Sequence, residues 1–157
     1  MEEKIIIDKM HELAKLINYE TNDISYLKKA MYCQPLDDKK EEYSDESLAT
    51  LGDAVLKLIL TEYLYDKKYN KAEITNTKQK IEDNNSLFEL CNRYGVYNYA
   101  YNDLYFFTEA PLEKQLPHPQ HDFYIEAIIG AIYKDKGFEY CKNWTMKFFS
   151  KNNCLPD

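Results

Sequence analysis

Two carboxylates stand where apolar side chains would be expected. Asp53 follows Leu51-Gly52 and precedes the run Ala54-Val55-Leu56-Lys57-Leu58-Ile59-Leu60, and Glu126 lies between Ile125 and Ala127-Ile128-Ile129. Both runs read as helices that are apolar almost all round, the pattern of a helix in the middle of a domain. A carboxylate in such a place needs a cation, a set of donors or a metal, because an unpaired charge in low dielectric is expensive. Helical spacing adds acids. Glu46 is two turns before Asp53 on the same face, and Asp122 is one turn before Glu126. If the two helices cross near Asp53 and Glu126, up to four carboxylates converge. An oxygen-rich cluster of that kind suits magnesium or manganese. A hard cation held by acids polarises a phosphate oxygen, lowers the pKa of a bound water and stabilises a leaving oxygen. Plainer arrangements fit the same spacing: lysines can neutralise the acids, or the acids can cap neighbouring helices, with Asp122 an ordinary N-cap. Gly52 lies inside a helix, at about 1 kcal/mol relative to alanine, so close approach of another backbone or of a substrate is expected there.

The elements that must position these acids are all helical. No proline lies between Pro35 and Pro111, and the chain has only 4 glycines and 5 prolines. A stretch so poor in breakers favours helix. The spacing of Ile5, Ile6, Met10, Leu13 and Leu16 predicts an amphipathic helix over 3–17. Asn22 or Asp23 caps a second helix to about Cys33, and 35–43 is a polar loop. Ser44 and Ser47 are both plausible N-caps of the helix that carries Asp53 and runs to about Tyr65. Further helices are expected over 72–83 and 84–93, the latter stopped by Gly95. Residues 96–105 are ambiguous between a short helix and extended chain. Pro111, Pro117 and Pro119 mark a loop, His121-Asp122 opens the helix of Glu126, Gly137 breaks it, and a last helix covers 138–149. No alternating strand bounded by turns is visible. The expected class is all-α, one domain over 1–157.

Composition narrows the partners. The chain has 157 residues, 45% apolar and 15% aromatic, enough for a core without staples. No run reaches the ~18 apolar residues of a membrane span, and the acid-bearing start MEEKIIIDKM is unlike a signal or transit peptide. Cys33, Cys91, Cys141 and Cys154 are scattered, form no CxxC and read as reduced thiols of a cytoplasmic protein. A net charge of −7 excludes a general nucleic-acid sponge but leaves room for local basic strips. Two such strips occur, Lys67, Lys68, Lys71, Lys78 and Lys80, and Lys134, Lys136, Lys142, Lys147 and Lys151. Either could track RNA phosphates across the wide minor groove, and either could be a solvated helix face. His118 and His121 lack the third and fourth ligands a zinc site needs. The 15 tyrosines could stack on bases, though a biased composition explains them more simply. Trp144, Phe148 and Phe149 read as core or interface.

The residues around the two acids resemble a known family. Ser44 to Leu56 (SDESLATLGDAVL) is similar to the ribonuclease III motif NERLEFLGDAVL, and Glu126 to Phe138 (EAIIGAIYKDKGF) to that family's EALIGAIYLDKGF. Between them Ile74 to Ile81 (ITNTKQKI) looks like its LTKLRASL helix. The three segments keep the family's order and cover roughly residues 24–150. The resemblance implies an all-α endonuclease domain that cleaves double-stranded RNA with magnesium or manganese, as a homodimer, with four acids around the metals. Position by position it makes Glu46, Asp53 and Glu126 the catalytic acids, Asp53 and Glu126 metal ligands with Asp122 a further candidate, and Glu73 a supporting acid. Apart from the resemblance, Lys71, Lys78 and Lys80 of the first basic strip are the candidates to face RNA. The chain departs from the pattern at three positions. Ala49 stands for the second acid of the first motif, a loss shared with the mini-ribonuclease III group. Phe123 stands for the aspartate before Glu126, leaving Asp122 one place, about 100° of helix, out of register. Thr50 replaces the aromatic of the family's dimer contact. With this span occupied, no length is expected for the following double-stranded RNA-binding domain. Three readings stay in view: a metal-dependent endoribonuclease for structured RNA, a catalytically inactive ribonuclease III fold kept for RNA binding or assembly, and a globular α-protein with internal charge pairs and no RNA role.

Overall fold

A computed structural model describes residues 2–32, 46–103, 106–109 and 124–156. Among them the chain forms α1 (Glu3–Leu16), α2 (Ser25–Met31), α3 (Glu46–Asp66), α4 (Lys71–Glu82), α5 (Asn84–Tyr94), α6 (Tyr124–Lys136) and α7 (Phe138–Lys151), with 3-10 turns at Val96–Tyr99 and Phe107–Glu109. The all-α expectation holds. Of the ambiguous 96–105 stretch, 96–99 form the first 3-10 turn and 100–103 continue without helix, Tyr101 making isolated bridges to Tyr32 and Phe106; residues 104 and 105 lie outside the described residues.

The helices α3 and α6 form the centre. Leu56, Ile59 and Leu60 of α3 and Ile125, Ile128, Ile129 and Ile132 of α6 are almost without solvent exposure. The amphipathic stripe of α1 adds Ile6, Met10 and Leu13, and α7 adds Trp144, Phe148 and Phe149. Trp144 stacks on Phe148 with centroids 4.8 Å apart, and its Nε1 donates to the Ile17 carbonyl at 2.9 Å. The aromatic trio is therefore core, and its one polar atom is paired. Cys91 and Cys141 are buried free thiols.

The helices α3 and α6 approach as backbones. A Cβ on Gly52 would lie 1.7 Å from the Glu126 carbonyl oxygen, and one on Gly130 would lie 2.2 Å from the Leu48 carbonyl oxygen. Small neighbours complete the contact: Ala49, Ala127, Ala131 and Ala30 of α2 are all buried beside Leu48. The close approach expected at Gly52 is thus to another backbone, that of α6.

Asp135, in the last turn of α6, anchors the α1–α2 connection. Its Oδ2 accepts from the Tyr19 hydroxyl, from Thr21 Oγ1 at 2.9 Å and from the Asn22 N–H at 3.0 Å, while Oδ1 accepts from the Asp23 N–H at 2.8 Å. Burial, and then the hydrogen bond to Asp135, push the Tyr19 phenol well above its usual pKa, so it serves as a donor. Asp135→Ala strands a buried hydroxyl and three further donors. It should lower stability by about 3 kcal/mol, the upper range for hydrogen bonds to a charged group, read as an earlier urea midpoint at unchanged slope.

Three local expectations are corrected. Ser47 is inside α3 rather than at its cap, since the helix already includes Glu46; Ser44 lies outside the described residues. The helix α2 starts at Ser25 with Ile24 rather than Asn22 or Asp23 at the cap position; Asp23 still serves the helix start, its Oδ1 accepting from the Ser25 N–H at 3.0 Å, while the Asn22 and Asp23 N–H groups turn to Asp135. The run after Asp53 is not buried all round: Ala54 is exposed and Leu58 is 54% exposed, leaving one stripe of α3 open.

Candidate functional site

The glycine crossing sets the site. Gly52 lies against the Glu126 backbone, so the neighbouring Asp53 and Glu126 are brought to the same junction of α3 and α6. Both carboxylate residues are half-buried rather than sealed in the core. Asp53 accepts a hydrogen bond from Lys57 Nζ at 2.9 Å, one turn along α3. The side chains of Lys57 and Asp53 are 48% and 35% exposed, so this i,i+4 pair contributes no more than about 0.5 kcal/mol. The Lys57 ammonium is held above its usual pKa first by the Asp53 hydrogen bond and, against partial desolvation, by the charges of Asp53, Glu82 and Glu126. One ammonium therefore stands in the field of three acids contributed by α3, α4 and α6.

Glu82 is the member that sequence reasoning missed. It is the last residue of α4, which turns back along α3 after the Lys67–Asn70 connection. The residue is half-buried, yet its Oε2 is closed off from solvent and accepts no hydrogen bond. Burial raises its carboxyl pKa first; Lys78 and Lys57 pull it down, and Asp53 pushes it up. No sequence signal separated Glu82 from other surface acids, because it belongs to neither acidic motif and the fold alone returns it to Asp53.

The other site residues fall in several places. Glu46 opens α3, with its side chain outside the described residues, as are Asp122, Phe123, His118, His121 and Cys33. Glu73 sits at the far end of α4 from Glu82, in a capping box: its Oε1 accepts from the Asn70 N–H at 2.9 Å, and Asn70 Oδ1 accepts from the Glu73 N–H at 2.9 Å. Its carboxylate is thereby committed to starting the helix. Lys71 and Lys78 lie on one side of α4, within about 20° of each other, whereas Lys80 is turned by about 160°. Lys80 lines a different cleft with Arg93 and Asn152. Of the second strip, Lys142 pairs with Glu62, and Lys136 lies over the Tyr140 ring at 4.7 Å. Ala49, at the position of the missing acid, is buried among Ala127, Ala131 and Ala30. Among the described residues no three Asp, Glu, His or Cys side chains are gathered tightly enough to hold an ion by themselves. A cleft of about 660 Å³ lined by Tyr63, Trp144, Phe148 and Leu155 carries no acid.

Comparison with known proteins agrees with this architecture. The model of the ribonuclease III domain matches residues 46–137, from the first residue of α3 to just past α6. The chain is 30% identical over 144 residues to Ribonuclease 3 of Caenorhabditis briggsae, covering 88% of this chain and 13% of that protein. It is 29% identical over 145 residues to Ribonuclease 3 of Campylobacter jejuni, covering 91% of this chain and 62% of the relative. The nuclease domain of ribonuclease III from Campylobacter jejuni superposes with a TM-score of 0.74 at 25% identity, over 93% of this chain and 99% of that one. With its glycine-crossed central helices and the match from α3 through α6, the chain belongs to the ribonuclease III domain family. It spans only part of the curated relatives it matches.

Proposed function

We propose that the chain is a divalent-cation-dependent endoribonuclease acting on double-stranded or structured RNA in RNA processing. The observation that carries this reading is the glycine crossing that brings Asp53 and Glu126 to one junction of α3 and α6, in a member of the ribonuclease III family. The donor set is all oxygen, and one buried carboxylate oxygen lacks a partner, which fits a hard cation such as magnesium or manganese. Asp53 and Glu126 would hold it, with Glu46, at the family's first acidic position, as a ligand or supporting acceptor, and Asp122, one place out of the family register, as a further candidate. When bound, the cation supplies Lewis-acid activation of the scissile phosphodiester. The chain's own part is positional. The Gly52–Gly130 crossing fixes how far apart the two acids stand, and Lys57, once released from Asp53, offers its ammonium to a phosphate. Lys71 and Lys78, together on one side of α4, face the RNA backbone, with Lys80 of the same basic run around the helix from them.

A homodimer is part of the same proposal. Thr50, Ala54, Leu58, Thr61 and Tyr65 fall within about 80° of arc on α3, and Leu58 and Tyr65 are 54% and 70% exposed. That stripe offers apolar area for a second copy although the residue at 50 is threonine. No helix among the described residues is long and apolar enough to cross a membrane, and the free thiols suit a cytoplasmic protein.

The second reading, an inactive module, draws on Ala49 packed among alanines and on Lys57 seated on Asp53. A labelled duplex RNA separates the two. Internal cleavage with magnesium that stops on chelation, with an unpaired strand of the same sequence left intact, is the expected result. Duplex binding with no cleavage under any magnesium or manganese concentration would establish the inactive module.

A further inference from the structure

We infer that the cleft between the ends of α1 and α3 and the outer side of α7 binds a small amphipathic carboxylate, an aliphatic chain with one anionic head. The cleft is separate from the junction of Asp53 and Glu126, since Tyr63, its wall on α3, lies about 15 Å along that helix from Asp53. One of its apolar residues has been left without a packing partner by the fold. The stripe of α1 runs in register through Ile6, Met10, Leu13 and Leu16; the first three are buried, whereas Leu16 is 41% exposed. Leu16 lines the cleft together with Met146 of α7 and Leu155 of the segment that follows α7. The volume of about 660 Å³ is that of a small-molecule pocket, and the lining is of the same kind, mainly apolar with few polar groups.

The rings at the cleft are already engaged. Trp144 stacks on Phe148 at 4.8 Å, Tyr94 lies beside Phe148 at 5.1 Å, and the Lys67 ammonium stands over the Tyr63 ring at 5.2 Å. The wall open to a ligand is therefore offered by the aliphatic side chains, and the flexible Met146 can follow a bending chain. The rim sets the charge of the head. Lys147 and Lys151 line the cleft one turn apart on one face of α7. Neither ammonium has an acid or a hydrogen-bond acceptor among the described residues. Other lysines of the same basic run are occupied: Lys142 pairs with Glu62, and Lys136 donates to Asn22 Oδ1 at 3.2 Å. No acid lines the cleft. An apolar tail laid on Leu16, Met146 and Leu155 with its carboxylate at the two lysines satisfies both features at once.

Trp144 is the only tryptophan of the chain, so its emission reports on this cleft. The full chain is titrated with decanoate below its micelle-forming concentration, and with decylammonium as the same tail carrying the opposite charge. Decanoate should change the emission saturably and raise the thermal midpoint by mass action, and decylammonium should bind about 10-fold more weakly or worse. Replacing both rim lysines, Lys147→Gln with Lys151→Gln, should weaken decanoate about 5-fold, the size of two exposed charge contacts, without weakening decylammonium. Leu16→Glu puts an acid at an already exposed position of the lip and should weaken decanoate at least as much. Ile5→Glu, at the other end of α1 and 46% exposed, should keep wild-type binding. No saturable change in emission overturns the inference, as does equal binding of the two head groups. A loss with Ile5→Glu as large as with Leu16→Glu overturns it too, since the ligand then adsorbs to any exposed apolar residue. None of these outcomes bears on the nuclease reading, which is tested on RNA.

Discussion

Gly52→Ala should cost about 3 kcal/mol of stability or more, at or beyond the upper end of overpacking substitutions. The added Cβ would sit 1.7 Å from the Glu126 carbonyl oxygen, 2.6 Å from its carbon and 2.8 Å from the Gly130 nitrogen. All three atoms belong to the backbone of α6, two of them in its first turn, so no rotamer change relieves the clash. The helices must separate, and the isoleucines of α6 then lose contact with Leu56, Ile59 and Leu60. Gly137→Ala is the contrast. Nothing lies within 4 Å of a Cβ there, and what resists substitution is the backbone, whose φ of 85° and ψ of 175° lie in a region essentially confined to glycine, at about 1–3 kcal/mol. Urea unfolding of both variants measures the two costs. A Gly52→Ala protein as stable as wild type would mean that the two central helices do not meet at this point.

Asp53→Asn should have the opposite profile, a stable fold and a lost activity. The side chain keeps its volume, and the hydrogen bond it gives up is a half-exposed i,i+4 pair worth no more than about 0.5 kcal/mol. The metal-free melting point should therefore stay close to that of wild type. Magnesium that binds the folded state raises the wild-type melting point by mass action, and the variant should show no such rise. Cleavage of duplex RNA should fall by about 100-fold or more, the scale on which removing one electrostatic group slows a reaction. A variant that cleaves at the wild-type rate would take Asp53 out of the site.

Much of this was open to reading in the sequence because helices announce themselves by period. The stripe of α1, the Gly95 stop and the apolar run at 125–133 depend on local spacing alone, and each element appears where that spacing put it. The close approach of another backbone at Gly52 was also foreshadowed, since a glycine inside an apolar helix invites a close crossing. Other features depend on non-local contacts and left no local trace. Asp135 holds the α1–α2 connection across more than a hundred residues. Glu82 reaches Lys57 only because α4 folds back on α3, and the box at Asn70 and Glu73 shows that an acid matching a family position also has local backbone work. The exposed stripe of α3 was hidden for a similar reason, because a run rich in leucine and alanine reads as buried whichever side faces out.

The central claim is that the acids at the α3–α6 crossing answer to a divalent cation rather than to an amine. Crystals soaked in manganese test it most directly, by anomalous scattering. The account predicts a manganese peak at the carboxylates of Asp53 and Glu126, with the Lys57 ammonium moved off Asp53. A Lys57–Asp53 contact unchanged in saturating manganese, with no anomalous density between α3 and α6, would contradict it.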